Sequence, residues 1–470
     1  MKVLLINPPI ENTIASVMPK ELEEGLDFLP PLGLMYIAAY LRKETYHEVE
    51  ILDCPVEKIN HDQLRSEIKK RNPDVVGITA MTFTLIDVMK AARTAKEINP
   101  EVKVILGGPH VIIFPEETIK NHEIDFLVLG EGERVIKSLL ESINNPKELK
   151  NIEGLAFKDN GKIINTGRAG FIEDLNGLPF PARLLAPYKK YFSVLSYRRP
   201  VTTMFTSRGC PYKCLFCDRP QLGKNFRARS AGNVVDEMEE CQNIGIKEIF
   251  IYDDTFGIDR QRVLDICAEV KKRGLNIAWD IRTRVNTVDE EILRALKQAG
   301  CQRIHYGVEA GTQKILNVLR KGITLKQAES AFALTKKIGI QTAGYFMIGS
   351  PTETKEDVFQ TIKFMKKIDP DYVHITITTP FPATDLYEKA LGEGIIANDV
   401  WRNFAKDPQS GFVPPIWEKE LSRAESLSLL KKAYKSFYFR PKYILKRVIQ
   451  LKSPREFFQK SLAALKLLKI

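Results

Sequence analysis

The 470-residue chain contains no apolar run of about 18 residues, the length a membrane-spanning helix needs. Its opening, MKVLLINPPIEN, holds only a short apolar stretch before it turns, too little for a signal peptide. Cysteine is sparse: seven residues, an odd number over a long chain, argue against a disulfide scaffold and for a reducing, cytoplasmic setting. No fixed-period repeat or low-complexity segment stands out. A composition of 44% hydrophobic and 27% charged residues excludes a disordered or collagen-like chain. The length suggests about three domains.

The net charge of +11 is unevenly placed. Twelve basic residues and one acid, Glu456, lie in 431–470 and account for all of it. The preceding body is balanced, so its surface carries no general signature of nucleic-acid binding.

Residues 1–145 alternate short apolar runs (2–6, 48–52, 74–78, 102–106, 125–129) with amphipathic stretches such as 33–42, 63–70 and 85–98. That alternation predicts an α/β, doubly wound (Rossmann-like) domain on a parallel sheet, with ligands at the carboxyl ends of its strands. The turns there hold Asn7-Pro8-Pro9, Gly107-Gly108-Pro109-His110 and Gly130-Glu131-Gly132-Glu133. Clustered glycines at strand ends let a backbone approach a ligand. Residues 146–195 read as a linker with a small hairpin around Asn160-Gly161. Alternation resumes over 196–395, with strand candidates at 201–206, 248–252, 277–281, 303–308, 342–348 and 372–378. These are too few strand-helix units for a full eight-fold barrel, so a partial barrel is expected. Residues 396–470 read as a helical, basic C-terminal region.

Three cysteines fall on one loop after the first strand of this second unit: Cys210-Pro-Tyr-Lys-Cys214-Leu-Phe-Cys217. A closed structural zinc site wants four protein ligands. The next cysteine, Cys241, lies inside a predicted helix, and Cys241, Cys267 and Cys301 read as core. Three thiolates on one loop suit an iron-sulfur cluster with one iron left open.

This spacing, in the setting Ser207-Arg208-Gly209-Cys210 to Cys217-Asp218, resembles the radical S-adenosylmethionine (radical SAM) enzymes over about residues 195–400. The resemblance implies a [4Fe-4S] cluster on Cys210, Cys214 and Cys217, with S-adenosylmethionine on the open iron. An electron then cleaves that molecule to a 5′-deoxyadenosyl radical. Further segments fall in family order: Tyr252-Asp253-Asp254-Thr255 resembles the motif facing the methionine amino group, and Arg282 to Asn286 the next strand's segment. Gly307-Val308-Glu309-Ala310-Gly311 and GYFMIGSP over 344–351, with Gly349, resemble the following two. Acids such as Asp253, Asp254 and Glu309 suit a molecule bearing an ammonium and a sulfonium. Asp254 or Thr255 could equally cap a helix. Phe216 resembles the residue bordering adenine, or is an ordinary core aromatic.

The first domain resembles the cobalamin-binding domain that precedes the catalytic domain in one branch of this superfamily. The resemblance rests on TAMTFT over 79–84, Gly107-Gly108 and Gly130-Glu131-Gly132-Glu133. It implies that Asn7, Pro8, Thr79, Thr82, Gly107, Gly108, Gly130 and Gly132 border cobalamin. The Asp-x-His-x-x-Gly run that supplies a histidine to cobalt is absent; Asn7-Pro8-Pro9 stands in its place. His110 could face the corrin or be a hydrogen-bonded turn histidine. The layout and Phe439-Arg440-Pro441-Lys442-Tyr443 most resemble the group containing the anaerobic magnesium-protoporphyrin IX monomethyl ester cyclase. The implied activity is C-methylation or oxidative cyclisation of an organic small molecule, hydrophobic ones included, with a flavodoxin- or ferredoxin-type reductant. Only Cys54 precedes Cys210, which sets aside a methylthiotransferase carrying a second cluster.

The tail places Ile444, Val448 and Leu451, then Phe458, Leu462 and Leu465, at helical spacing among lysines and arginines. Basic amphipathic helices can lie on an anionic membrane surface; a helical cap on the barrel is the other reading. The competing functional class is a corrinoid- or metal-sensing module without catalysis that contacts nucleic acid through this tail. No recognition helix or aromatic RNA platform accompanies it, so no nucleic acid is expected.

Overall fold

The computed structural model describes residues 1–14, 27–218 and 223–449. Two sheets carry the fold. In the first, β1 (Lys2–Asn7), β2 (Glu48–Asp53), β3 (Val75–Thr79), β4 (Lys103–Gly107) and β5 (Phe126–Val128) are parallel, in the order β2-β1-β3-β4-β5. Helices such as Leu32–Glu44 and Leu85–Ile98 cover its faces. The inner strands are buried on both sides, which is why they show continuous apolar runs, whereas the edge strand β2 exposes Glu48 and Glu50.

The hairpin expected within a linker belongs to this sheet. Its strands β6 (Leu155–Asp159) and β7 (Lys162–Asn165) extend it antiparallel beyond β5. Leu155, Ala156 and Phe157 are all buried, as three successive residues are on a strand paired on both sides and covered on both faces. Asn160 and Gly161 both take positive φ, as the tight hairpin turn requires.

The second sheet runs in strict chain order: β8 (Val201–Met204), β9 (Glu248–Ile251), β10 (Ala278–Thr283), β11 (Cys301–Glu309), β12 (Gln341–Ile348) and β13 (Tyr372–Ile377), all parallel. Six strands instead of eight make a partial barrel. The intervening helices start at side-chain caps: Ser230, Asp259, Asp289, Thr324 and Thr354 each accept a backbone N–H from the first turn. Every strand therefore ends on the same rim.

The C-terminal region is helical and closes one sheet edge. Tyr434 and Tyr438, one turn apart on the helix Arg423–Tyr438, bond Ile375 and Val373 of β13, each hydroxyl accepting the strand N–H and donating to its carbonyl. An edge strand is thereby capped without a further strand. Arg440 then reaches Asp369 at 3.1 Å and Tyr443 donates to the Asp371 carbonyl at 2.9 Å. The start of the basic tail is thus a helical cap on the barrel, with Ile444 exposed. Residues 450–470, with Leu451, Phe458, Leu462 and Leu465, lie outside the described residues. Among the described residues no helix is long and apolar enough to cross a membrane.

The two sheets share an interface with this region. Phe83, just after β3, meets Phe381 and Trp401 edge-on with centroids 5.6 and 5.9 Å apart. Phe404 is buried within the core of the first sheet.

Candidate active site

The cysteine loop is anchored from below before it begins. Asp253, at the end of β9, accepts four hydrogen bonds, from the backbone N–H and hydroxyl of both Thr206 and Ser207. Arg208 follows and crosses to the first domain, meeting Glu133 at 2.5 Å and Glu131 at 3.3 Å. Arg227, on the far side of the loop, meets Glu131 at 2.8 Å. All four charged groups are buried. The glutamates of Gly130-Glu131-Gly132-Glu133 thus hold the cysteine segment, and the arginines lower the Glu131 carboxyl against the opposing effect of burial.

Beyond Gly209 the loop borders a cavity of about 450 Å³ at the carboxyl rim of the barrel. Its walls carry Cys210, Cys214 and Cys217, together with the expected Phe216, Asp254, Thr255, Arg282 and Glu309. Desolvation and the neighbouring Cys214, Asp254 and Cys210 push the Cys217 thiol up. Thr255 Oγ1 lies 3.8 Å from Cys210 Sγ. No three His, Cys, Asp or Glu side chains among the described residues are gathered as ligands of a single ion. The sulfurs instead rim one space, an arrangement suited to a larger inorganic cluster rather than to tetrahedral zinc.

Two expected residues are placed elsewhere. Asp253 lies beneath the loop, off the cavity wall, while its neighbour Asp254 faces the cavity. Desolvation and the adjacent Asp253 push the Asp254 carboxyl up. Gly349 is also off the wall; its N–H donates to Glu353 Oε2 at 2.7 Å, tying the turn after β12.

Glu309 has a positive φ of 75°, rare for a residue with a side chain and a mark of a constrained site. Its Oε1 pairs with Lys321 Nζ at 2.7 Å. A Cβ on Gly307 would come within 2.6 Å of that carboxylate and 2.8 Å of the ammonium, so a side chain there would displace the pair. Arg282 lies 3.3 Å over the Tyr252 ring centre.

The walls also carry Tyr212, His305 and Lys321, which sequence reasoning missed, and Arg284 and Tyr345, which lay in the segments 282–286 and 344–351 without being singled out. His305 Nδ1 is 2.9 Å from the Tyr345 hydroxyl and Nε2 is 3.1 Å from Asp280 Oδ2. Burial holds the His305 imidazole down, toward its neutral form. With Nε2–H donated to Asp280, Nδ1 accepts from Tyr345. The inward positions of β10, β11 and β12 fall two residues apart, a period that could have singled out Asp280, His305 and Tyr345.

At the first sheet, Asn7, Thr79, Thr82, Gly107, Gly108 and His110 gather where β1, β3 and β4 end. Several serve the protein itself. Asn7 donates to Asp53 at 2.7 Å, and Pro8 is buried. Gly108, at φ 110°, sits where a Cβ would come within 2.8 Å of the Ala80 carbonyl. Gly130 packs on Ala169 and Gly132 on Ile37. A side chain at Gly108, Gly130 or Gly132 would meet neighbouring chain. His110 is hydrogen-bonded on one side of its ring. Nδ1 lies 3.0 Å from Thr82 Oγ1, while Nε2 is buried with no hydrogen-bond partner among the described residues. Burial drives its pKa down to about 3, leaving a neutral imidazole. An unsatisfied buried nitrogen at this edge fits a polar ligand such as a corrin bearing amide side chains.

Comparisons with known proteins agree with both halves. The B12 binding domain family matches residues 25–140 and the Radical SAM superfamily matches residues 204–365. An uncharacterized methyltransferase of Pyrococcus horikoshii is 39% identical, covering 96% of this chain and 95% of its own. The anaerobic magnesium-protoporphyrin IX monomethyl ester cyclase of Rubrivivax gelatinosus is 30% identical, over 94% of this chain and 78% of its own. Among solved structures, the cobalamin-dependent S-adenosylmethionine radical enzyme OxsB, with aqua-cobalamin and S-adenosylmethionine bound, superposes with a TM-score of 0.75 at 19% identity. That match covers 98% of this chain and 70% of the other. The chain belongs to the radical SAM superfamily, in the branch whose members carry a B12-binding domain. It is an enzyme of this cobalamin-dependent type, and its cofactors are cobalamin, a [4Fe-4S] cluster and S-adenosylmethionine.

Proposed function

We propose that this enzyme cleaves S-adenosylmethionine reductively and uses the resulting 5′-deoxyadenosyl radical for cobalamin-dependent C-methylation of a small organic substrate. The observation that carries the reading is the shared cavity, where three cysteine sulfurs face Asp254, Arg282 and Glu309 across one space. When bound, the cluster supplies the electron and cobalamin the methyl group; a flavodoxin- or ferredoxin-type protein is the electron source. The chain's own contribution is to fix the cysteine loop through Asp253, Glu131 and Glu133, to present charges to the amino acid end of S-adenosylmethionine, and to exclude water. The relative named a methyltransferase, 39% identical over nearly the whole chain, supports methyl transfer.

One observation favours a second reading, oxidative ring closure. Joining a carbon radical to a methyl group releases no proton for a side chain to accept. Oxidising that radical by one electron, which the cobalamin or the cluster would accept when bound, and adding a nucleophile does. The Tyr345–His305–Asp280 chain, opening on the cavity, is built to accept one. The cyclase relative supports this alternative.

The test is anaerobic reconstitution of the full chain with iron, sulfide and hydroxocobalamin, followed by S-adenosylmethionine and dithionite. Iron, sulfide and cobalt on the protein and release of 5′-deoxyadenosine are expected. With a substrate in hand, equal S-adenosylhomocysteine and 5′-deoxyadenosine mark methylation; 5′-deoxyadenosine alone marks ring closure. Failure to release 5′-deoxyadenosine from cluster-loaded protein overturns both readings.

A further inference from the structure

We propose that Arg284 sets how readily the cluster takes an electron, by holding a cation and an N–H donor on the sulfur of Cys214. The inference rests on the function proposed above. Arg284 follows β10 directly and is only 4% exposed in sequence position 284 of the rim. Each arm of its guanidinium is committed. Nη1 points at Cys214 Sγ at 3.6 Å, Nη2 bonds the backbone carbonyl of Lys321, and Nε reaches Asn286 Oδ1 at 3.3 Å. Its carbon lies 3.8 Å over the ring centre of Tyr212, which stands in the same loop between Cys210 and Cys214. The planar group is thus stacked from one side and bonded at its edges, with one edge turned to the sulfur.

None of these hydrogen-bond partners is a carboxylate. Burying a cation on a carbonyl, an amide and an aromatic ring is unfavourable, because none of these three partners balances its charge. The arrangement makes electrostatic sense if negative charge resides on the sulfur side, as it does when Cys214 is a thiolate ligand. Reduction adds one more negative charge to a thiolate-bound cluster. A neighbouring guanidinium and an N–H···S bond stabilise that reduced state more than the oxidised one, and so raise its potential. Lysine is not equivalent: it keeps the charge but loses the planar fork and the stack.

The experiment is a redox titration of anaerobically reconstituted full-length protein, followed by electron paramagnetic resonance, without S-adenosylmethionine. In R284Q the ratio of reduced to oxidised cluster at a fixed potential should fall about tenfold, a midpoint about 59 mV lower for one electron. In R284K a smaller fall is expected. A competing role for Arg284, gripping the carboxylate of S-adenosylmethionine, predicts weaker binding of that molecule with the midpoint unchanged. An unchanged midpoint in iron-loaded R284Q overturns the proposal. Should R284Q lose its iron, R284K carries the test, and a midpoint equal to wild type overturns the proposal equally. Wild-type protein without a reducible cluster would instead defeat the function proposed above, a result distinct from any shift in the variants.

Discussion

Asp253 grips Ser207 twice: the Ser207 N–H donates to Oδ1 at 3.1 Å and its hydroxyl to Oδ2 at 2.6 Å. Thr206 repeats the pattern on the same carboxylate. One buried acid therefore fixes the two residues from which the cysteine loop departs.

Asp253→Asn leaves one acceptor oxygen and turns an amide toward groups that are themselves donors. Hydrogen bonds to a charged group contribute roughly 1.5–3 kcal/mol each. We expect a loss of at least about 2 kcal/mol in denaturant unfolding, with reduced iron retention after reconstitution. Asp254→Asn should lose less iron than Asp253→Asn, because Asp254 faces the cavity and meets the loop at the Gly209 N–H, whereas Asp253 takes four hydrogen bonds from it.

Breaking the pair between Glu133 and Arg208 strands a buried guanidinium at the seam between the two sheets. Removing one partner of a buried ion pair costs about 3–5 kcal/mol. Glu133→Gln should therefore lower the unfolding midpoint markedly, with Glu131 softening the loss through its own contact to Arg208. Adding Glu131→Gln should cost more than the sum of the two single replacements, as measured by a double-mutant cycle.

Glu353 is fully buried, and burial raises its carboxyl to about 7. Because the folded value lies above the unfolded one, its contribution to stability is complete below the unfolded pKa. It is lost as pH rises through about 7. Glu353→Gln should remove about 2–3 kcal/mol of the stability decline between pH 5 and pH 8, on the scale of 1.36 kcal/mol per pKa unit. Unfolding curves of both proteins at the two pH values check this; parallel declines would contradict it.

Replacing Cys210, Cys214 or Cys217 singly with serine should abolish 5′-deoxyadenosine release and strip iron and sulfide from the protein. The same change at Cys241, Cys267 or Cys301 should leave the cofactor intact, because these are buried away from the cavity. Iron and sulfide analysis of the six variants reads both halves of the expectation.

Local pattern made the architecture legible. The strands and capped helices fall where apolar runs and Ser, Thr or Asp residues announce them, and the cysteine spacing fixed one wall of the cavity. Long-range pairing was hidden. Nothing in Gly130-Glu131-Gly132-Glu133 indicates that its acids answer Arg208 and Arg227, some 75 and 96 residues away. Asp253 and Asp254 look equivalent in sequence, yet successive residues at a strand end face opposite ways, so one supports the loop and the other lines the space. Lys321 could be found only once the rim brought its loop to Glu309.

The placement of Phe404 has a consequence for synthesis. Its ring completes the core of the first sheet, whose last strand ends at Asn165. A ribosome at roughly 5–20 residues per second would deliver Phe404 on the order of tens of seconds after that strand. Throughout that interval the nascent first domain carries an unfilled apolar notch, which makes it a candidate client for chaperones while the rest of the polypeptide emerges.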